Sequence, residues 1–220
     1  MSHGMVFVQT NESSNQVVAY RRDADGVLTQ AGALDTGGAG DDQPHLTSQG
    51  SVVLTSDGRH LLVTNAASDD VSVFAVTDDG SIELVGRTPV GPAPKSVTEH
   101  GGLVFVLATG APAVAGFRLG AGGLEPIAGS TQDLAANADP AQVGFTPDGS
   151  ALIVTERGTD SITAIPVAAD GTLGTGRTVA STGPTPYGFA VTGAGVLVVT
   201  EAFRAQKGAA AASSYRVSGT

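Results

Sequence analysis

Residues 61–80 read LLVTNAASDDVSVFAVTDDG, and this stretch decides the fold. Its apolar run 61–63 ends in Thr64-Asn65 and is followed by a polar turn. A second run, 71–74, alternates apolar and small polar residues with the period of two that is typical of a half-buried strand. The pair Asp79-Gly80 then predicts a hairpin, because glycine accepts the positive φ that two-residue turns require. The stretch therefore predicts consecutive antiparallel strands.

The same unit recurs along the chain in five copies, of which the third is degenerate. Counted at the end of the first strand of each copy, the copies are 54, 43, 48 and 45 residues apart. Those end positions are Asn11, Asn65, Ala108, Glu156 and Glu201. A further apolar segment precedes each of the last four copies, so a full period holds four strand types. Four strands per period of this length favour an all-β β-propeller of four-stranded antiparallel blades over a sandwich or a solenoid.

The sequence predicts almost no helix. No window carries an apolar face with helical spacing. The segment 208–212, GAAAA, is too short to hold a helix alone, and we expect a flexible loop between two strands there.

The predicted blades are incomplete at both ends. If the strands are named A to D from the axis outward, the first copy lacks strand A and the last lacks strand D. We therefore predict one partial propeller domain, 1–220, with approximate blades at 5–38, 51–90, 94–130, 140–180 and 186–220. Open strand edges invite association. Either the chain is a fragment of a longer protein, or copies complete each other through their open blade edges; the fragment is favoured because closure protects propeller edges.

Composition narrows the class of protein. The 31 Gly and 11 Pro suit short strands joined by turns. A net charge of −10 opposes a sequence-independent grip on nucleic acid. The absence of Cys excludes thiol nucleophiles, zinc–thiolate sites and disulfides. No stretch approaches the roughly 18 apolar residues of a membrane span. We expect a soluble protein without nucleic-acid or membrane partners, either cytoplasmic or exported with its signal removed.

Candidate site residues follow from the topology of a blade. Strands A and B are antiparallel neighbours, so the start of A and the end of B lie on the same face of the propeller. The predicted A-strand starts are Ser51, Lys95, Gln142 and Tyr187. The polar B-strand ends are Asn11, Asn65, Glu156 and Glu201, with Arg157 and Arg204 just beyond them. Because the A strands lie nearest the axis, these residues predict a polar funnel that binds a ligand at the axial mouth.

The segments TPDG at 146–149 and ALIVTE at 151–156, together with the run from 61 to 74, resemble one known family. They are similar to the lactonase-type seven-bladed propellers, which include 6-phosphogluconolactonases and muconate-lactonising propellers. The resemblance covers roughly residues 5–217 and implies a closed relative of roughly 300 residues or more. It implies His, Arg and Glu side chains around a bound lactone near the axis. Glu156 matches the family position at the end of a B strand, whereas Gln142 stands where a His is expected and TPYG at 185–188 has no basic residue.

Opening a lactone requires a polarised carbonyl, a base for water and an acid for the leaving alkoxide. Glu156 is the predicted base, and Arg157 or Lys95 would steady the oxyanion or a substrate phosphate. The alternative is that Glu156 and Arg157 are rim charges that pair or face solvent.

The remaining predicted ligand-binding residues are Asn65, Lys95, Gln142, Tyr187, Glu201 and Arg204. Glu201 and Arg204 would form a second wall of the pocket or only a salt bridge within a loop. Tyr187 would stack on a ligand ring or belong to the core.

No metal or cofactor is predicted. The four histidines do not cluster in the sequence, although His45 lies in a loop that can approach the mouth. The sequence has no G-x-S-x-G elbow, Walker loop or complete G-x-G-x-x-G motif. Serine nucleophilic chemistry and nucleotide binding have no support.

Two functions stay open at this point. The first is hydrolysis of a lactone, such as a sugar lactone or a carbohydrate-like ligand, which Glu156→Ala would abolish. The second is a non-catalytic propeller that binds a protein or a small ligand, with binding sensitive to Tyr187 or Gln142.

Overall fold

The computed structural model describes residues 4–44 and 46–217. In this part of the chain, 18 strands form five antiparallel sheets. The first sheet contains β1 (Gly4–Gln9), β2 (Gln16–Arg22) and β3 (Leu28–Asp35). The second contains β4 (Val52–Leu54), β5 (His60–Asn65), β6 (Asp70–Val76) and β7 (Ile82–Pro89). The third contains β8 (Pro94–His100), β9 (Leu103–Ala108), β10 (Ala113–Gly120) and β11 (Gly123–Asp133).

The last two sheets complete the described chain. The fourth contains β12 (Pro140–Phe145), β13 (Ala151–Glu156), β14 (Ser161–Pro166) and β15 (Arg177–Ala180). The fifth contains β16 (Pro186–Val191), β17 (Val196–Glu201) and β18 (Ala211–Arg216). We refer to the five sheets as blades 1 to 5.

The blade architecture confirms the predicted fold class. Each sheet is a meander in which neighbours in sequence are neighbours in space. Blades 2, 3 and 4 have four strands, whereas blades 1 and 5 have three. In the described residues, blade 1 lacks the inner strand and blade 5 lacks the outer one, so the propeller is incomplete.

The core lies between blades because successive residues of a strand point to opposite faces. Leu61 belongs to a buried cluster with Val17 of blade 1, while its neighbour Leu62 packs in a cluster with Val104 of blade 3. Both leucines are fully buried or nearly so. The central B strands are therefore continuous apolar runs rather than alternating ones, as expected for strands covered on both faces.

In blades 2 and 4 the turn between the A and B strands is wider than the two-residue hairpin that an Asp-Gly pair predicts, whereas in blade 3 only Gly101 and Gly102 separate the paired residues His100 and Leu103. In blade 2 the N–H of Gly58 donates to the carbonyl of Thr55 (2.9 Å), and the N–H of Thr55 donates to the carbonyl of His60 (2.8 Å). The Asp57 carboxylate accepts a hydrogen bond of 2.7 Å from the Thr55 hydroxyl. Gly58 has a φ of 72°, so the predicted need for glycine holds although the turn type differs.

The Ala-rich segment differs from its prediction. Ala211 and Ala212 belong to β18 and pair with Glu201 and Thr200 of β17, so the expected loop at 208–212 ends two residues earlier. The loop before β18 contains a single 3₁₀ turn, Phe203–Ala205. This is the one helical element in residues 4–44 and 46–217, and no helix there is long enough to span a membrane.

Candidate functional site

The inner strands border a depression of about 480 Å³. Its lining includes Gln49, Gly50, Gln142, Tyr187 and Thr200. The Gln49–Gly50 segment, just before β4, reaches across to the later blades. The N–H of Gln49 donates to the carbonyl of Ala141 (3.0 Å), and the Gly50 carbonyl accepts from the N–H of Val97 (2.8 Å). The structure thus brings Gln142 and Tyr187 together beside the axis.

Gln142 spaces the inner strands of blades 4 and 5. Its Oε1 accepts from the backbone N–H of Phe189 (2.9 Å), and its Nε2 donates to the carbonyl of the same residue (3.2 Å). This pair of bonds imitates a step of a β-ladder between β12 and β16. Gln142 therefore holds the strand that begins with Tyr187 at a fixed distance.

A charged group surrounds Tyr187 at the entry to β16. The Arg157 guanidinium lies over the Tyr187 ring, with Cζ 5.5 Å from the ring centroid. One Arg157 Nη lies 2.6 Å from an Asp139 carboxylate oxygen. The Asp139 side chain is 57% exposed, whereas that of Arg157 is 16% exposed. The result is a solvent-accessible carboxylate held next to a largely covered cation and an aromatic ring.

The Tyr187 hydroxyl is buried and has no hydrogen-bond partner in the described part of the chain. Burial raises the pKa of this hydroxyl, with the Asp139 charge adding to the increase and the Arg157 charge opposing it. The phenol is therefore protonated at neutral pH and can donate a hydrogen bond. A buried donor without a partner carries a desolvation cost in the free protein.

Lys95 takes part in a second polar group on the rim. Its Nζ lies 3.1 Å from an Asp41 carboxylate oxygen. The other Asp41 oxygen accepts a bond of 2.6 Å from the Asn11 amide. Burial raises the pKa of Asp41, but the hydrogen bonds from Asn11 and Lys95 outweigh it and the pKa is lowered. Within the described residues, no hydrogen bond or ion pair joins the group of Lys95, Asp41 and Asn11 to the group of Arg157, Asp139 and Tyr187.

The entries to the last three inner strands share one backbone device. Ala93, Asp139 and Thr185 each precede a strand-initiating proline and have positive φ values of 51°, 42° and 60°. The Asp160 carboxylate accepts a bond of 2.7 Å from the N–H of Thr185. Arg204 pairs with that same carboxylate. The alternative of a loop salt bridge between Glu201 and Arg204 is therefore not the arrangement found, because the guanidinium turns toward Asp160 in blade 4.

The polar B-strand ends lie between blades rather than in the open mouth. Asn65 is fully buried. Its Oδ1 accepts from the Asn15 amide (2.7 Å) and the Thr36 hydroxyl (2.8 Å). Its Nδ2 donates to Asp70 (2.6 Å) and Ser72 (2.8 Å). All of its hydrogen-bonding capacity is thus satisfied within the protein.

Glu156 and Glu201 occupy equivalent positions and are also buried. Glu156 is 3% exposed, and its carboxylate accepts from the hydroxyls of Thr163 and Thr159. Glu201 is 1% exposed and accepts from the N–H of Gly183 (3.3 Å). Glu156 lines a separate crevice of about 190 Å³ between blades 3 and 4. The carboxylate that pairs with Arg157 is Asp139, so the expected alternative of a Glu156–Arg157 pair is not the arrangement found.

Sequence reasoning missed Gln49, Asp41 and Asp139. An available signal for Asp139 was the X-Pro pair before each of the last three A strands, because proline within a sheet is common at the first residue of a strand. His45 and His3 lie outside the described residues. Within 4–44 and 46–217, no group of three or more His, Asp or Glu side chains is arranged to hold a metal ion.

Several proteins of known structure have a similar fold. A Lactobacillus plantarum protein is 21% identical with a TM-score of 0.75, and the match covers 90% of this chain and 60% of that one. The periplasmic gluconolactonase of Pseudomonas aeruginosa is 20% identical with a TM-score of 0.67, covering 98% and 70%. A candidate 6-phosphogluconolactonase from Bacteroides fragilis is 21% identical with a TM-score of 0.66, covering 92% and 65%. The chain spans 60% to 70% of the length of these proteins, and at such identities the likeness concerns the fold alone.

No curated protein sequence matches the chain. The family model described as "Lactonase, 7-bladed beta-propeller" matches residues 2–127 and 123–217, which is nearly the whole chain. The chain therefore belongs to the seven-bladed β-propeller lactonase family.

Proposed function

We propose that the protein opens a lactone ring at the axial depression. The observation that carries this proposal is the Arg157–Tyr187 pair with Asp139 beside it, at the entry to an inner strand of a lactonase-family propeller. In this reaction a water oxygen attacks the carbonyl carbon, the ring carbon–oxygen bond breaks, and the leaving alkoxide takes up a proton. A hydroxy acid is the product.

Tyr187 is the proposed hydrogen-bond donor to the lactone. Its raised pKa keeps the phenol protonated, so it can donate either to the carbonyl oxygen or to the leaving ring oxygen. Its hydroxyl has no partner within the described residues, so a ligand acceptor would satisfy it without breaking an existing bond.

Arg157 is the proposed group that steadies negative charge. Its guanidinium is largely covered by protein, which strengthens its interaction with an oxyanion relative to the same contact in water. A carboxylate or phosphate on the substrate would compete with Asp139 for this cation. Lys95, paired with Asp41, would contribute a second positive charge to the rim.

Two carboxylates compete for the role of base. Asp139 pairs with Arg157. Its side chain is more than half exposed, so water can reach it. Glu156, the base predicted from the sequence, is 3% exposed and opens to the crevice between blades 3 and 4. Accessibility favours Asp139, and Glu156 remains the second candidate.

The test is ring opening by the full-length protein, followed by proton release over a lactone panel that includes 6-phosphogluconolactone. Asp139→Asn and Glu156→Gln remove one carboxylate charge each with little change in shape. We expect Asp139→Asn to lower kcat by at least about a hundredfold and by more than Glu156→Gln does. Asp78→Asn, in an exposed turn on the opposite face, is the matched control.

A larger loss in Glu156→Gln than in Asp139→Asn would transfer the role of base to Glu156. Absence of turnover above the spontaneous rate for every lactone would contradict hydrolysis. Saturable lactone binding without turnover would instead support the non-catalytic alternative.

A further inference from the structure

Blades 2 and 4 carry different polar side chains at equivalent buried positions. In both, the last residue of the B strand is a buried polar residue that faces the preceding blade. Asn65 pairs across the sheet with Asp70, and Glu156 pairs with Ser161. One strand further out, Ser72 pairs with Arg87 and Thr163 pairs with Thr178. The equivalent positions can therefore be compared directly.

Blade 2 contains its own cation at this place. Arg87 forms a salt bridge with Asp70, whose side chain is 4% exposed, and also donates to the carbonyl of Gly37. The hydrogen bond that Arg87 donates to Asp70 raises the pKa of Arg87, outweighing the effect of partial burial. Asn65 completes the group by donating to Asp70. The buried carboxylate of blade 2 is thus neutralised by a guanidinium from the outer strand.

Blade 4 keeps the buried carboxylate but has no cation beside it. Thr178 takes the position of Arg87, and Ser161 takes that of Asp70. The buried carboxylate of blade 4 belongs to Glu156, at the end of the B strand, and it receives only hydroxyl hydrogen bonds, from Thr163 and Thr159. No ion pair of the described residues includes Glu156. A buried carboxylate without a compensating cation is costly.

Blades 1 and 3, which precede the two blades compared, also differ in the residues that they contribute at this place. Asn15 and Thr36 of blade 1 donate to Asn65. The same backbone bond that joins Thr36 to Asn15 joins Leu134 to Pro112 in blade 3, at 2.9 Å in both cases. Leucine and proline side chains cannot donate to Glu156. Leu134 instead lines the crevice of about 190 Å³, together with Glu156, Thr159, Ser161 and Thr178.

We propose that this crevice binds the guanidinium group of a small alkylguanidine. The ligand would take the place that the Arg87 side chain fills in blade 2. Its guanidinium would pair with the Glu156 carboxylate, while the surrounding hydroxyls accept its remaining N–H groups. The inference does not rest on lactone hydrolysis, because binding is measured without turnover and in a crevice separate from the axial depression.

The direct test is calorimetric titration of the full-length protein with agmatine, compared with N-(4-aminobutyl)urea, which keeps the ammonium group and replaces the guanidinium by a neutral urea. We expect saturable agmatine binding that is at least about tenfold weaker in Glu156→Gln, since one charge-assisted pair is lost. Binding that is equal for agmatine and N-(4-aminobutyl)urea, or unchanged in Glu156→Gln, would overturn the proposal. Failure to detect saturable binding by the unmodified protein would also overturn it.

A second variant keeps the proposal testable if Glu156→Gln does not fold. Thr178→Arg supplies the guanidinium from within the chain, as blade 2 does. We expect it to abolish agmatine binding and to raise Tm by about 2–4 °C. Thr178→Met adds comparable bulk without charge and should not raise Tm. An equal rise in both variants, or agmatine binding that persists in Thr178→Arg, would contradict a guanidinium site at Glu156.

Discussion

The guanidinium of Arg157 lies over the ring of Tyr187, with Cζ 5.5 Å from the ring centroid. The two residues belong to different blades, since Arg157 follows β13 and Tyr187 opens the inner strand β16. The contact therefore links the loops of two adjacent blades at the axial mouth. The Tyr187 hydroxyl itself is buried and has no hydrogen-bond partner among the described residues.

The first prediction concerns this hydroxyl. Tyr187→Phe removes an unsatisfied buried group and preserves the ring under Arg157, so we expect unchanged stability or a gain of up to about 1 kcal/mol. If Tyr187 donates to the lactone, the same variant should lower kcat by about a hundredfold. Calorimetric unfolding and steady-state kinetics measure the two effects. A clear loss of stability with unchanged kcat would assign Tyr187 to the core.

Gly158 positions Arg157, and its replacement should disturb both fold and site. A Cβ at Gly158 would overlap the carbonyl oxygen of Asn137, which belongs to the loop leading to Asp139. We expect Gly158→Ala to cost about 1–3 kcal/mol of unfolding free energy because a backbone segment must move. Gly193→Ala is the control, since nothing lies within 4 Å of that added Cβ. Equal denaturation midpoints for the two variants would contradict this packing.

Asn65 should be a point of high stability cost. Asn65→Ala leaves the partners Asn15, Thr36 and Asp70 without the amide that they bind. We expect a loss of about 1–3 kcal/mol in chemical denaturation, since buried polar groups become unsatisfied. Asn137→Ala changes an exposed asparagine and should stay within about 0.5 kcal/mol of the original protein. Equal losses of stability in Asn65→Ala and Asn137→Ala would contradict a stabilising role of the buried hydrogen-bond network around Asn65.

These stability predictions follow from a fold that the sequence predicts well. The recurring strands that end at Asn65, Glu156 and Glu201 predicted the blades. A blade that packs between two others needs apolar residues on both faces and glycine in its turns, so both features recur in the sequence. The sequence also predicted that the end of each B strand lies beside the start of its A strand, as the pairing of Pro140 with Glu156 shows. The burial of those ends was not, since a polar residue at a strand end can point to the mouth or to the next blade.

The candidate site was predicted only in part for the same reason. Gln142 and Tyr187 do lie beside the axial depression. Asp139 directly precedes the A strand of blade 4 and Arg157 directly follows its B strand, so the rule that places A-strand starts beside B-strand ends covers this pair as well. Which side chains at this edge bind each other depends on side-chain direction, which the period of a repeat does not specify.

The A–B turn of blade 4 gives a pH prediction. Hydrogen bonds from the Thr146 hydroxyl and then the Ser150 N–H lower the pKa of Asp148 from 3.8 to about 2. Because the pKa is lower in the folded state, the charged carboxylate stabilises the fold above pH 3.8, and this contribution disappears as the pH falls through about 2. Asp148→Asn should therefore be less stable than the original protein at pH 5, with the difference shrinking below pH 3.8.

Thr146→Val removes the hydroxyl that lowers the pKa of Asp148 and should reproduce part of the same pH-dependent deficit. Denaturant titrations at a series of pH values measure it. A deficit in Asp148→Asn that is the same at pH 5 and pH 2 would show that the charge of this carboxylate plays no part.

The central claim is that Arg157 stabilises the negative charge that develops when a lactone opens at the axial mouth. Its most direct test is kcat/KM for lactone-ring opening by the full-length protein and by Arg157→Met, which keeps the bulk and removes the charge. We expect turnover above the spontaneous rate, reduced by at least about a hundredfold in Arg157→Met. Turnover that is equal in the two proteins, or absent from both over the whole lactone panel, would contradict it.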